Sequence, residues 1–318
     1  MRQSRWRLAC AGVLMWIVGM TPLFAQPDLS RTFGSTVAER PSASYVFSDL
    51  RLDSVDGQRR YRVRIATPKA ASPAAGYPVV YLLDGNAALM ELDERLLDSL
   101  STHAAAPVLV LVFIADDSTL RIDAVGRSLD YTPARFTDGR VETDPLNPQR
   151  RTGGAAAFAQ LIATRVRPQV EARASVDRQR QTLWGHSYGG LFVLQVLLTQ
   201  PQLFQHYVAV DPSLWWGDGF IVQQARRVVD HAQAASADMQ PSKRRLTLMA
   251  GEGRPPGQDA APDRPGRPRA DPRAARNLVT LLSSLPGLTA EYQPLPGLTH
   301  GQTLGASLAP TLRDAATR

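Results

Sequence analysis

Ser187 stands inside Gly185-His186-Ser187-Tyr188-Gly189, and a third glycine, Gly190, follows. An apolar run at residues 181–184 precedes the group, and an apolar pattern of helical spacing continues through Leu198. Glycines on both sides of a serine at a strand-to-helix turn let neighbouring backbone pass close, so the hydroxyl stands clear at the end of the strand. Such a hydroxyl becomes a nucleophile once a base takes its proton, and the chemistry it suits is acyl transfer. The N–H of Tyr188 opens the following helix, where the helix end favours a developing negative charge.

A base has to come from elsewhere in the chain. In this arrangement it follows the last strand, and Gly297-Leu298-Thr299-His300-Gly301 supplies His300 there. The other histidines fit less well. His103 precedes a buried strand, His206 begins one, His231 lies in a polar helix, and His186 is expected to point away from its neighbour Ser187. An acid would orient the base. Glu252, in Ala250-Gly251-Glu252-Gly253, is the expected acid. Asp211, one strand earlier in Val210-Asp211-Pro212-Ser213, is the alternative, and Asp259 lies just beyond Glu252. A Ser–His pair without an acid is a third option. The second oxyanion donor is expected from the loop Asp84-Gly85-Asn86, as the N–H of Gly85 or Asn86.

These residues need a frame. Residues 58–66 alternate apolar and basic side chains at Tyr61, Val63 and Ile65, the period of a half-buried antiparallel strand. Residues 77–83 and 107–114 are apolar throughout and end at acidic or Gly/Asn turns, which marks strands buried on both faces. Residues 87–100 between them have helical spacing. Further strand patterns fall at 206–210, 245–250 and 290–294. Strands alternating with helices predict one α/β domain over 45–318, with a central, mostly parallel sheet, antiparallel strands at its N-terminal edge and helices on both faces. Residues 26–44 read as a flexible leader. Insertions are expected at about 127–154 and at 253–276, the latter rich in arginine and proline.

Of the 318 residues, 44% are hydrophobic and 20% charged, which suits a globular soluble protein. Arg2, Arg5 and Arg7 precede an apolar run over residues 8–20, and the small Ala25 follows. That layout predicts a secretory signal peptide over 1–25, with a periplasmic destination or, alternatively, secretion. The formal charge of +7 falls to +4 without the three arginines of that segment. This mild excess favours an anionic ligand but is too small and too dispersed for nucleic acid. The single cysteine, Cys10, lies in the signal segment, so the mature chain has no disulfide and no thiolate metal site. No cofactor and no metal are expected, nor stable membrane association after signal removal.

The ordered set YLLDGN, GRSLDYTP, Gly153-Gly154, WGHSYGGLFVL, DPSLWW and THG resembles the esterase-D-like branch of the α/β-hydrolases. Within that branch it is most similar to the periplasmic siderophore esterases, which open the trilactone of enterobactin-type catecholates. The resemblance covers roughly residues 45–312. It implies Ser187 and His300 as the catalytic pair, with a third acid lacking in some members. It also implies Arg127, Trp215 and Trp216 near an anionic, aromatic substrate, in its ferric or iron-free form. Tryptophan faces suit stacking on catechol rings, and a guanidinium suits a catecholate anion. Two departures stand out: Asp211 occupies a position where relatives commonly have serine, and the 253–276 segment is unusual. Other readings are a general carboxylesterase or acyltransferase, a serine peptidase, and a non-catalytic binding protein on the same fold. The peptidase reading needs a gating domain for which the chain has no room.

Overall fold

The computed structural model describes residues 30–102, 108–234, 243–253 and 273–317. The predicted signal segment, His103, Asp259 and most of the 253–276 insertion lie outside them. The strands are β1 (Tyr45–Asp53), β2 (Arg60–Pro68), β3 (Tyr77–Leu82), β4 (Val110–Asp116), β5 (Phe136–Thr137), β6 (Arg140–Val141), β7 (Val176–His186), β8 (His206–Val210), β9 (Arg244–Gly251) and β10 (Leu288–Leu295). The helices are α1 (Gly85–Met90), α2 (Glu94–Thr102), α3 (Ala124–Asp130), α4 (Ala155–Leu161), α5 (Arg167–Glu171), α6 (Tyr188–Thr199), α7 (Trp216–Ala234), α8 (Ala274–Leu282) and α9 (His300–Thr317). A turn of π-helix joins α4 to α5. No helix among the described residues is long and apolar enough to cross a membrane.

Eight strands form one sheet in the order β1-β2-β4-β3-β7-β8-β9-β10. β1 and β2 pair antiparallel, β2 meets β4 antiparallel, and every later pairing is parallel. The period-2 reading of β2 explains its place near the edge. Tyr61, Val63 and Ile65 face the core, while Arg62 and Arg64 on the other face pair with Asp117 and Asp49. β3 and β8 are buried at every residue, as continuous apolar strands must be when helices cover both sides of a sheet. One core lies beneath α4, α6, α7 and α8, with Phe158, Phe192, Ile221 and Leu278. The other lies beneath α1, α2 and α9, with Leu89, Leu97, Leu308 and Leu312. This is the α/β-hydrolase fold.

Three local differences from the sequence reading have physical causes. The expected helix over 87–100 is two helices, because the Asp93 carboxylate caps the Leu96 N–H at 2.8 Å and starts a second helix. β7 begins at Val176, five residues before its apolar run, and its polar first half is only partly buried. Residues 30–44, read as a flexible leader, lie against the domain. The Phe33 N–H bonds Thr119 O at 3.0 Å, and the Arg121 N–H bonds Arg31 O at 2.8 Å. Val37 and Ser42 are buried. The 127–154 insertion stands outside the main sheet and carries the β5–β6 hairpin. It is anchored by buried Asp144, which accepts from the Ser128 hydroxyl at 2.7 Å and the Tyr188 hydroxyl at 3.0 Å.

Candidate active site

Three adjacent strands, β3, β7 and β8, end in the same way. Within two residues of each strand end the chain takes a left-handed backbone: Asp84 (φ 47°), Ser187 (φ 60°) and Asp211 (φ 42°). Non-glycine residues hold such angles at a cost of about 1–3 kcal/mol each. The surroundings supply it. The Ser187 N–H bonds Val210 O at 2.9 Å, the Ser213 N–H bonds Ser187 O at 3.1 Å, and the Asp211 N–H bonds Met249 O at 2.8 Å. Gly185 is obligatory here, since a Cβ on it would lie 2.4 Å from Gly189 O. Three polar side chains are thereby turned out at one edge of the sheet.

His300 reaches this edge from the first turn of α9. Its Nε2 lies 3.2 Å from Ser187 Oγ. The carboxylate brought to its other nitrogen is that of Asp211, with Oδ2 at 3.7 Å from Nδ1. That distance is an ion-pair contact, longer than a hydrogen bond. Asp211 accepts from the Thr303 hydroxyl at 2.7 Å and from the Gly251 N–H at 3.3 Å. Glu252, the acid expected from the sequence, is turned elsewhere. It bonds Arg276 at 2.8 Å and the Tyr292 hydroxyl at 3.4 Å, and it is exposed. Its backbone explains this: the Glu252 N–H continues the ladder to Leu295 O, which sends the chain along β10.

The N–H groups of Tyr188, Gly85 and Asn86 open α6 and α1, so none has an acceptor within its own helix. The two helix starts are neighbours, since a Cβ on Gly189 would lie 3.6 Å from Asp84 Oδ2. The Asn86 side chain faces away and holds Leu120 O at 2.9 Å. Arg127 links the two turns. It makes a bidentate pair with Asp84 at 3.0 and 2.8 Å and donates to His186 O at 3.1 Å. Burial disfavours its charge, but Asp84 more than offsets this and its pKa is raised. Arg127 therefore reaches the site as half of an ion pair and is not a free cation.

The two tryptophans separate. Trp216 is 1% exposed, packs edge-on against Phe220 and belongs to the core. Of the pair that the sequence places near the substrate, one is also expected to pack in the core, and Trp216 is that one: positive φ at Gly217, Asp218 and Gly219 breaks the chain right after it and leaves it in the core. Trp215 is half-buried and lies 6.1 Å from the Tyr188 ring, beside the serine.

Sequence reasoning passed over three further groups. Ser213 is buried, with its hydroxyl 3.4 Å from Ser187 Oγ. His186 does point away from Ser187, but it lands beneath His300, ring centroids 4.7 Å apart. Thr303 lies on the same helical face as His300, three residues on, a spacing that counts only once α9 is known to begin at His300. The donor atoms of His186, Asp211 and His300 lie within 4.8 Å of one another, near enough for a cation. Hydrogen bonds already occupy two of them: His186 Nε2 contacts His300 O at 2.9 Å and Thr303 Oγ at 3.2 Å, and Asp211 is held by Thr303.

A serine on a strained strand-to-helix turn, a histidine within reach of it and paired helix-start amides define a serine hydrolase of the α/β type. Comparison with known proteins agrees. The Esterase family model matches residues 54–267, and the chain belongs to that family. It is 36% identical over 300 residues to the apo-salmochelin esterase of Escherichia coli strain CFT073, covering 92% of this chain and 86% of that one. It is 34% identical over 180 residues to the ferri-bacillibactin esterase BesA of Bacillus subtilis, covering 56% and 62%. The solved enterobactin and salmochelin hydrolase IroE superposes with a TM-score of 0.69 at 34% identity, covering 89% of this chain and 99% of that one.

Proposed function

We propose that the protein hydrolyses the ester bonds of catecholate siderophore trilactones, with Ser187 as nucleophile, His300 as base and Asp211 as the acid behind it. The observation that carries this is the 3.2 Å approach of His300 Nε2 to Ser187 Oγ, in a chain that matches the apo-salmochelin esterase along 92% of its length. In the first step His300 takes the Ser187 proton as Oγ attacks the ester carbonyl carbon. The oxyanion forms against the amides of Tyr188 and of Gly85 or Asn86. The tetrahedral carbon collapses, the seryl hydroxyl of the trilactone leaves with the proton from His300, and an acyl-Ser187 remains. Water, deprotonated by His300, then releases the acid and restores the serine.

Trp215 is the ring offered to a catechol arm, and Arg127, neutralised by Asp84, contributes directional N–H groups more than net charge. Opening the ring makes the iron ligand linear, and cleavage of a further ester divides it, which loosens its hold on iron. The two relatives differ by name in the iron state of their substrates, so both states enter the test. The basic and apolar residues 1–25 support export to the periplasm.

The experiment incubates purified protein with iron-free and iron-loaded trilactone and resolves the products by chromatography. Linear catechol–serine products are expected, with Ser187→Ala slower by about 10⁶-fold, as for nucleophile loss in other serine hydrolases. Hydrolysis of p-nitrophenyl butyrate without ring opening of either trilactone would leave a general carboxylesterase instead. Trp215→Ala should raise KM for the trilactone by roughly several-fold, the worth of one stacked ring at about 0.5–1.5 kcal/mol, and spare the small ester. Equal losses on both substrates would remove Trp215 from the substrate site.

A further inference from the structure

Beneath the His300–Asp211 pair lies a closed group of polar atoms that the reaction as written does not use. Thr303 Oγ has three neighbours: Asp211 Oδ2 at 2.7 Å, His300 O at 2.8 Å and His186 Nε2 at 3.2 Å. The threonine is fully buried and His186 nearly so. A hydroxyl has one proton to give. Two of its neighbours, the carboxylate and the carbonyl, can only accept, and both compete for that proton.

His186 decides between them. Its Nε2 lies 2.9 Å from His300 O, which can only accept, so Nε2 carries a proton and satisfies that carbonyl. Burial, with His300 and Arg127 nearby, drives its pKa well below the usual histidine value, so the ring is neutral. With the carbonyl supplied by His186, the Thr303 proton is directed to Asp211. The Gly251 N–H supports the same carboxylate at 3.3 Å. Asp211 needs this help: it sits on left-handed backbone, and His300 Nδ1 at 3.7 Å does not hold it.

We propose that Thr303 is a positioning residue for the reaction, its hydroxyl aiming the Asp211 carboxylate at His300 Nδ1. The proposal rests on Ser187, His300 and Asp211 acting together, and it is independent of which ester is the substrate.

Thr303→Val keeps the shape and removes the donor. On p-nitrophenyl butyrate it should lower kcat about tenfold with KM unchanged, because a misaimed acid costs turnover and not ground-state binding. Thr303→Ser, which restores the hydroxyl but not the methyl group, should return kcat to within about twofold of the original, since the donor and not the packing carries the effect. In an Asp211→Asn background, Thr303→Val should add less than about a twofold further loss, as groups in one network are not additive. Circular dichroism and thermal melts of each variant separate misfolding from misalignment. Full kcat in Thr303→Val, a serine variant as slow as the valine one, or an undiminished effect in the Asp211→Asn background would each overturn the proposal. Ser187→Ala serves as the control. If it stays active, the catalytic reading itself has failed. If it is inactive while Thr303→Val is unaffected, only the role of Thr303 has.

Discussion

The ends of β8 and β9 look alike as sequence and behave differently as structure. Each places an acid one residue past a buried parallel strand, Asp211 after Val210 and Glu252 after Gly251. Asp211 turns through φ 42° and presents its carboxylate to Thr303, Gly251 and His300. Glu252 stays in register with β10 through Leu295 O and gives its carboxylate to Arg276 and Tyr292 at the surface. β9 still serves the site, but through an absent side chain. Gly251 leaves room for Leu298 O, which a Cβ would approach to 2.5 Å, and for Asp211 Oδ2, which it would approach to 3.2 Å. Backbone direction, and not residue type, selects the acid.

That contrast is open to direct attack. The largest effect is expected from Asp211→Asn. An amide behind the histidine no longer stabilises the imidazolium that forms on proton transfer. In serine proteases such a loss costs about 10⁴-fold in kcat. The 3.7 Å separation here sets the expectation at the lower part of about 10²–10⁴-fold, read as kcat on p-nitrophenyl butyrate. Activity within twofold of the original would instead leave Ser187 and His300 working as a pair.

Gly251→Ala comes next. The new methyl group would lie 2.5 Å from Leu298 O and 2.8 Å from the Thr303 methyl group, so it must move the loop that carries His300 and press on the threonine and, at 3.2 Å, on the Asp211 carboxylate. Overpacking of this kind costs about 1–3 kcal/mol, so a lower melting temperature and roughly a tenfold loss of kcat are expected together. Unchanged kcat in a destabilised protein would show that the loop yields while Thr303 and the acid keep their places.

Much of this site was legible in the chain. Ser187 could be read because its glycines stand between a strand pattern and a helix pattern, and His300 because chain order places the base last. The acid could not, because positive φ at Asp211 and the β10 pairing of Glu252 are set by neighbours remote in sequence. The tryptophans resisted for a related reason. Gly217, Asp218 and Gly219 all carry positive φ at the start of α7, so no helical period links Trp215 and Trp216 to the rest of that helix. Thr303 was missed because the chain from 295 to 300 reads as a loop, whereas α9 begins at His300 itself. The sheet posed no such difficulty: β3, β4 and β8 carry continuous apolar runs, and their pattern needs no neighbour to interpret it.

The smallest effect should come from Glu252→Gln. Its partners, Arg276 and Tyr292, form an exposed group on the β10 side of the strand end, with the Arg276 guanidinium 4.2 Å from the centroid of the Tyr292 ring. An exposed ion pair of this kind is worth about 0–1 kcal/mol, and a glutamine retains an oxygen that can still accept from Arg276. Stability should therefore change by less than that, and the remainder should fade with added salt, which screens exposed charges. No atom of the Glu252 side chain bonds His300, Ser187 or Asp211, so kcat on either a trilactone or a small ester should stay within about twofold, the range of a surface substitution away from the chemistry. The double variant Asp211→Asn/Glu252→Gln makes the comparison stricter. If β8 alone supplies the acid, the double variant is no slower than Asp211→Asn. If Glu252 swings in as a substitute when Asp211 is neutralised, the double variant falls well below the single one, and the two strand ends are then interchangeable sources of one charge.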